Sequence, residues 1–243
     1  MQLTPAAQAL VDLFGHIVII NLPERGDRRR AIDAELRKIG LSLDNPAVEI
    51  FPGLRPEAAA GFPSIGAHGA FRSHLGVMER LLARGWTRAL VLEDDMAFAP
   101  GAVQRLPPLM AALARRDWAM LYGHAGDPAH SAGAPDADGL VRLAPGFDLI
   151  QLHFLGLTRE AAEVAVPELL AMLNRPEGHP DGGPMHVDGA LNWVRRRNPA
   201  LHALAIAPAL AVQRASRSDV ADPRWFDRLP LLRSLAALLR RMI

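Results

Sequence analysis

The apolar residues of this chain fall into short runs that switch between strand and helix periods. Residues 16–22, HIVIINL, form a continuous β-branched run with no polar break until Asn21, the pattern of a strand covered on both faces. Behind the polar turn PERG, Asp27 can cap a helix through about Ile39, with Ile32, Leu36 and Ile39 on one buried face and Gly40 as the stop. Residues 48–51 predict a short second strand, followed by a Pro-, Gly- and Ala-rich loop to Ser64. Residues 67–83 place Ala70, His74, Val77, Met78, Leu81 and Leu82 at helical spacing before Arg84 and Gly85. A buried strand at 89–92 stops at Glu93, a Pro-interrupted helix spans Ala102–Ala114, and residues 118–122 read as another strand.

The second half is less regular. Residues 123–146 are rich in Gly, Pro, Ala and Asp and read as a surface loop. One or two strands are expected within 147–157, after which Thr158 can cap a helix over Arg159–Leu173. A Gly/Pro loop at 174–185, a short helix at 188–196, a last strand at 203–207 and the polar loop QRASRSD complete the pattern. Such alternation predicts an α/β domain over residues 1–228, with a mostly parallel central sheet flanked by helices.

Composition narrows the chemistry. Lys and Arg number 27 against 26 Asp and Glu, for a formal charge of +1, so no global field points to nucleic acid. The absence of cysteine excludes disulfides, thiolate nucleophiles and zinc–sulfur sites, which leaves oxygen and imidazole for any metal. The opening MQLTPAAQALVDLFG lacks the basic start and long apolar stretch of a signal peptide, and no run approaches the roughly 20 apolar residues of a membrane span. The expectation is a soluble, cytoplasmic protein.

Three acids, Glu93, Asp94 and Asp95, directly follow the 89–92 strand. In open α/β sheets ligands bind in the crevice outside the carboxyl ends of the strands, so these acids stand where a site belongs. Clustered carboxylates repel one another in a low-dielectric cleft, and a divalent cation, a basic neighbour or a shared proton relieves them. Oxygen ligands favour Mg²⁺ or Mn²⁺. If the segment stays extended, Glu93 and Asp95 face one way and Asp94 the other. A solvated acidic turn closing a strand is the plainer alternative.

Four blocks resemble glycosyltransferase family 25, the group that includes lipopolysaccharide-assembly and collagen galactosyltransferases. They are IINLPERGDRR (19–29), GAHGAFRSHLGVMERLLARG (66–85), ALVLEDDMAF (89–98), and the pair HVDGAL (186–191) with PALAVQRASRSDV (208–220). The resemblance implies a GT-A-type fold, a nucleotide-sugar donor, usually UDP-linked, and transfer with inversion. It also implies that Glu93 and Asp95 hold Mn²⁺ or Mg²⁺, Asp95 directly and Glu93 nearer the ribose or a metal-bound water. The donor-binding set it suggests is Asn21, Leu22, Arg25, Arg28, His74, Asp94, Gln213, Ser218 and Asp219.

Each residue has a physical reading beside the implied one. A departing diphosphate gains negative charge, which Arg25 and Arg28 can meet with forked guanidinium contacts; alternatively they are a basic turn satisfied by Asp27. Asn21, at the end of its strand, is placed to read the nucleotide with its amide. His74 beside Ser73 is either a packed, hydrogen-bonded histidine or part of the site, whereas His68 is left out of it. Asp188 is a candidate general base for the acceptor hydroxyl, a metal ligand with His186, or the N-cap of the helix that follows. Arg214, Arg217 and Asp219 are either a lid over the diphosphate or a surface loop held by Ser218 and Asp219.

Residues 229–243, LPLLRSLAALLRRMI, carry Leu231, Leu232, Leu235, Leu238, Leu239 and Met242 on one helical face and arginines toward the other. Such a helix suits peripheral contact with the inner face of an anionic membrane, or docking on the parent domain or a second subunit. The combined expectation is transfer of a hexose, galactose first, from a UDP-sugar to a saccharide or lipid-linked saccharide of a surface glycan. The alternative is a noncatalytic relative that keeps the fold for nucleotide binding or assembly.

Overall fold

The computed structural model describes residues 3–126 and 133–214. In chain order the elements are α1 (Pro5–Phe14), β1 (Ile17–Asn21), α2 (Gly26–Lys38), β2 (Val48–Pro52), α3 (Ile65–Ala83), β3 (Arg88–Glu93), β4 (Met96–Phe98), α4 (Ala102–Ala114) and β5 (Met120–Tyr122). They continue with β6 (Leu140–Leu143), β7 (Phe154–Thr158), α5 (Arg159–Leu173), α6 (Val187–Arg197), β8 (Ala203–Ile206) and β9 (Ala211–Gln213). The main sheet has the order β2-β1-β3-β7-β5-β8-β6. β1 runs parallel to β2 and β3, and β5 to β8, while β7 is antiparallel to both β3 and β5 and β6 is antiparallel to β8. All strands but β6 and β7 therefore point one way, which is the mostly parallel α/β sheet that the alternation predicts.

Period-2 alternation splits the strands between two cores. Val18, Val91, Leu155, Leu157, Met120, Tyr122, Ala203 and Ala205 pack under α3, α5 and α6. Ile17, Ile19, Leu90, Leu92, Leu121, Leu204 and Ile206 pack against α1, α2 and α4. A sheet covered by helices on both faces explains why its strands read as unbroken apolar runs.

Several local expectations hold. Thr158 caps α5 by accepting from Ala161 N at 3.2 Å, and Ile32, Leu36 and Ile39 are fully buried. Others change. α2 is not capped by a side chain; it begins at Gly26, and Asp27 lies in its first turn. The opening residues form α1, with Thr4 as N-cap and Pro5 at the first helical position. The supposed loop 123–146 contains the edge strand β6, introduced by Asp136, whose Oδ1 accepts from Asp138 N and Leu140 N at 2.9 and 3.0 Å. The stretch between β8 and the polar loop, for which the sequence pattern predicts no element, contains β9, which pairs with β4 as a two-stranded ribbon. Residues 217–219 and the amphipathic stretch 229–243 lie outside the described residues. Among the described residues no helix is long and apolar enough to cross a membrane.

Candidate active site

The carboxyl ends of β1, β2 and β3 open onto a cavity of about 1120 Å³. One wall is made by Leu22, Arg25 and Arg28 behind β1, Gly53, Leu54 and Arg55 behind β2, and Glu93, Asp94 and Asp95 behind β3. The facing segments contribute Gln151, Leu152, His186, Val187 and Asp188. The acids thus lie in the crevice that open α/β sheets use for ligands.

All three acids line this cavity, which corrects the expectation that Asp94 faces away. The reason is local: β3 ends at Glu93 and the backbone turns at Asp94 and Asp95 before β4, so extended alternation stops. Arg28, in the first turn of α2, donates to Asp94 Oδ1 at 2.9 Å and lies 3.5 Å from Asp95 Oδ2. Its side chain is 11% exposed, so the contact sits in a poorly solvated place where charge matters more than at the surface. Arg25 instead grips Asp27 with two 3.0 Å bonds, and this guanidinium holds the Asp27 carboxyl well below its usual range. The self-satisfied basic turn therefore describes Arg25, while Arg28 reaches the acids.

Asp95 is 6% exposed, and its Oδ1 has no hydrogen-bond partner among the described residues. Burial, then the charge of Glu93, push its carboxyl up to about 6, against the pull of Arg28. The corner thus keeps a buried carboxyl oxygen that no described donor compensates. Such an atom suits a hard divalent cation. Glu93 shows the opposite balance: burial opposes its ionisation, but the hydrogen bond and charge of His74, with His153 and Arg28, hold it below the ordinary carboxylate value. His74 Nε2 is 3.1 Å from Glu93 Oε1, and the His74 side chain is fully buried on α3. Among the described residues no group of three or more His, Asp or Glu side chains is arranged to hold a metal ion.

Asn21 is 1% exposed, its Nδ2 donates to Asp94 Oδ2 at 2.8 Å and to Arg25 O at 3.2 Å, and its Oδ1 accepts from Arg29 Nε at 3.2 Å. With its amide engaged inside the fold, it supports Asp94 from behind the wall. Arg214 is likewise not free to act as a lid: it donates through Nη2 to Asp94 O at 2.6 Å and through its backbone N to Asp95 O at 2.8 Å. Beside it Gln213 Nε2 donates to Asp95 Oδ2 at 3.2 Å. The ribbon of β4 and β9 thus brings both residues under the acidic turn.

Asp188 lies on the facing wall. The N-cap of α6 is His186, so the capping alternative for Asp188 is also corrected. Instead its Oδ2 accepts from Gln151 N at 3.1 Å and its Oδ1 from Gly189 N at 2.8 Å. Both of its oxygens are oriented while the residue stays half-buried at the cavity.

Ser73 is a supporting residue whose role the sequence reading left undefined. Its Oγ accepts from Leu54 N at 2.9 Å and donates to Gly69 O at 2.7 Å, which ties the loop after β2 to α3. Gly69 lets that loop approach: a Cβ there would stand 2.3 Å from Leu54 O. A glycine inside an otherwise helical pattern is the signal that could have pointed to this contact. His68 hydrogen-bonds Ala58 O through Nδ1 at 2.9 Å and stacks on Phe62, a structural role.

Comparison with known proteins follows the same line. Human inactive glycosyltransferase 25 family member 3 is 28% identical over 127 residues, covering 45% of this chain and 21% of the human protein. Mouse procollagen galactosyltransferase 2 is 30% identical over 127 residues, covering 45% of this chain and 20% of its own length. Over 45% of its length the chain is similar to glycosyltransferase family 25 proteins. It spans about a fifth of the length of these curated relatives, and no family model matches it. The crystal structure of a glycosyltransferase involved in the glycosylation of the major capsid of PBCV-1 aligns over 94% of this chain and 100% of its own, at 12% identity and a TM-score of 0.49.

Proposed function

We propose that this chain is a metal-dependent, inverting glycosyltransferase that moves a hexose, galactose first among candidates, from a UDP-sugar to a hydroxyl of a surface glycan. The observation that carries the reading is the pairing of a buried, under-compensated Asp95 with Arg28 on one wall and an oriented Asp188 on the other, in one cavity. Asp95 would hold Mn²⁺ or Mg²⁺, with Glu93 and Asp94 adding negative potential; such ions commonly take one or two carboxylates and complete their shell with phosphates and water. The ion supplies charge neutralisation for a leaving diphosphate. Arg28 offers a guanidinium to the same oxygens, and Asp188 accepts the proton of the attacking hydroxyl.

A second reading has its own support, because the relatives include proteins named as inactive. A noncatalytic nucleotide-binding domain would keep the cavity without turnover. Calorimetry with UDP-galactose, UDP-glucose and their N-acetyl forms, with and without Mn²⁺, separates the two when joined to a transfer assay. Asp95→Ala should abolish Mn²⁺-dependent donor binding and turnover, whereas Asp188→Ala should lower transfer by a factor of about 10² to 10⁴ and leave UDP binding nearly intact. UDP binding without transfer by the wild type would favour the noncatalytic reading, and normal transfer by both variants would discard the mechanism.

A further inference from the structure

Residues 144–152 lie along one face of α6 and are held there by side chains one helical turn apart. Arg195 donates to Ala144 O at 2.9 Å and Phe147 O at 3.1 Å. Asn192 donates to Leu149 O at 2.9 Å and accepts from Leu149 N at 3.2 Å. Asp188, at the cavity end of the same stripe, accepts from Gln151 N. The first two anchors are buried, as are Leu149 and Leu152, while Ile150 and Gln151 between those two leucines are exposed.

Gln151 has φ 73°, in the left-handed region that side chains other than glycine rarely adopt. Both of its backbone groups are committed. Its N–H goes to Asp188, and its carbonyl lies 3.1 Å from His124 Nε2, whose Nδ1 accepts from Gly126 N at 3.1 Å. Glycine would make the same backbone bonds without the steric cost. What the strained position adds is an exposed primary amide on the cavity wall beside Asp188. An amide both donates and accepts, as a sugar hydroxyl does, so it suits a neutral polyol better than a phosphate or a carboxylate.

We propose that Gln151 is the acceptor-recognition residue of this cavity: its backbone N–H aims the Asp188 carboxylate and its side-chain amide binds a hydroxyl of the acceptor saccharide. The inference rests on the glycosyltransferase reading. Gln151→Gly tests it, because the backbone bonds survive and only the amide is lost. Wild type and variant are saturated with UDP and titrated with methyl β-galactoside and methyl β-glucoside, followed by saturation-transfer NMR, with UDP affinity and thermal midpoint measured alongside.

The expected result is a saccharide affinity about tenfold weaker in the variant, an unchanged UDP affinity, and a midpoint equal to or a few degrees above wild type as the backbone relaxes. Equal saccharide affinity in both proteins overturns the proposal, and so does a wild type that binds UDP but neither glycoside. A wild type that binds no UDP removes the underlying reading and this inference with it, so the two failures remain distinct.

Discussion

The acidic wall of the cavity and the α6 wall immobilise polar groups by different means. On the acidic wall, Asp94, Asp95 and Arg28 meet as charges, and Asp95 keeps an oxygen without a hydrogen-bond partner among the described residues. On the α6 wall, Arg195 is buried at 1% exposure; its two Nη groups donate to the carbonyls of Ala144 and Phe147 and to Asn192 Oδ1, its guanidinium lies 5.8 Å from the ring of Tyr122, and its Nε has no hydrogen-bond partner among the described residues. The first arrangement leaves electrostatic potential to act on a ligand. The second commits both Nη groups to neighbouring oxygens and yields rigidity. Clustered charge and hydrogen-bonded rigidity are thus concentrated on different walls, and substitutions can separate them.

The largest stability effect is expected on the α6 wall. Arg195→Met should destabilise the fold by about 3 kcal/mol, since it removes the hydrogen bonds to Ala144 O, Phe147 O and Asn192 Oδ1 at about 1 kcal/mol each, while leaving UDP affinity nearly unchanged. Urea unfolding with parallel calorimetry checks both halves; a stable variant with lost UDP binding would reverse the assignment of the walls.

An intermediate effect belongs to Asp95 and depends on pH. Its folded-state pKa, raised to about 6, lies above the unfolded value of 3.8, so the native state binds the extra proton between these values. Its contribution to stability is therefore greatest in acid and falls as pH rises through about 4 to 6, by roughly 2–3 kcal/mol. Asp95→Asn should flatten that part of the stability-versus-pH curve measured by denaturant titration. Identical curves for the two proteins would show that the carboxyl is not perturbed.

The smallest effect concerns Ser73, where α3 meets the loop after β2. Ser73→Ala removes the acceptor for Leu54 N and should cost about 1 kcal/mol, with faster amide exchange at Leu54 as its local signature. Unaltered exchange there would mean that the loop after β2 is held by packing alone.

Legibility in the sequence follows the same division. The strand–turn–helix around β1 and α2 and the acids after β3 were readable because each is a pattern among near neighbours. The support that Asn21 gives Asp94 was not legible because the two are 73 positions apart. Gln151 carried no local signal: its left-handed backbone is imposed by Asp188 and His124, which reach it from other segments. β6 and β9 were missed because short strands bounded by turn residues are stabilised by distant partners, β8 and β4 respectively, and carry little periodicity of their own. Asp188 was located, but its orientation came from a backbone amide that no motif records.

Gly69 shows how small an atomic difference shapes the cavity. Because Leu54's carbonyl rests where a methyl group would otherwise begin, the position of the loop after β2 at the cavity rim is gauged from within the helix. Any side chain at that position would act as a shim between α3 and the rim, altering access without touching a single charged group.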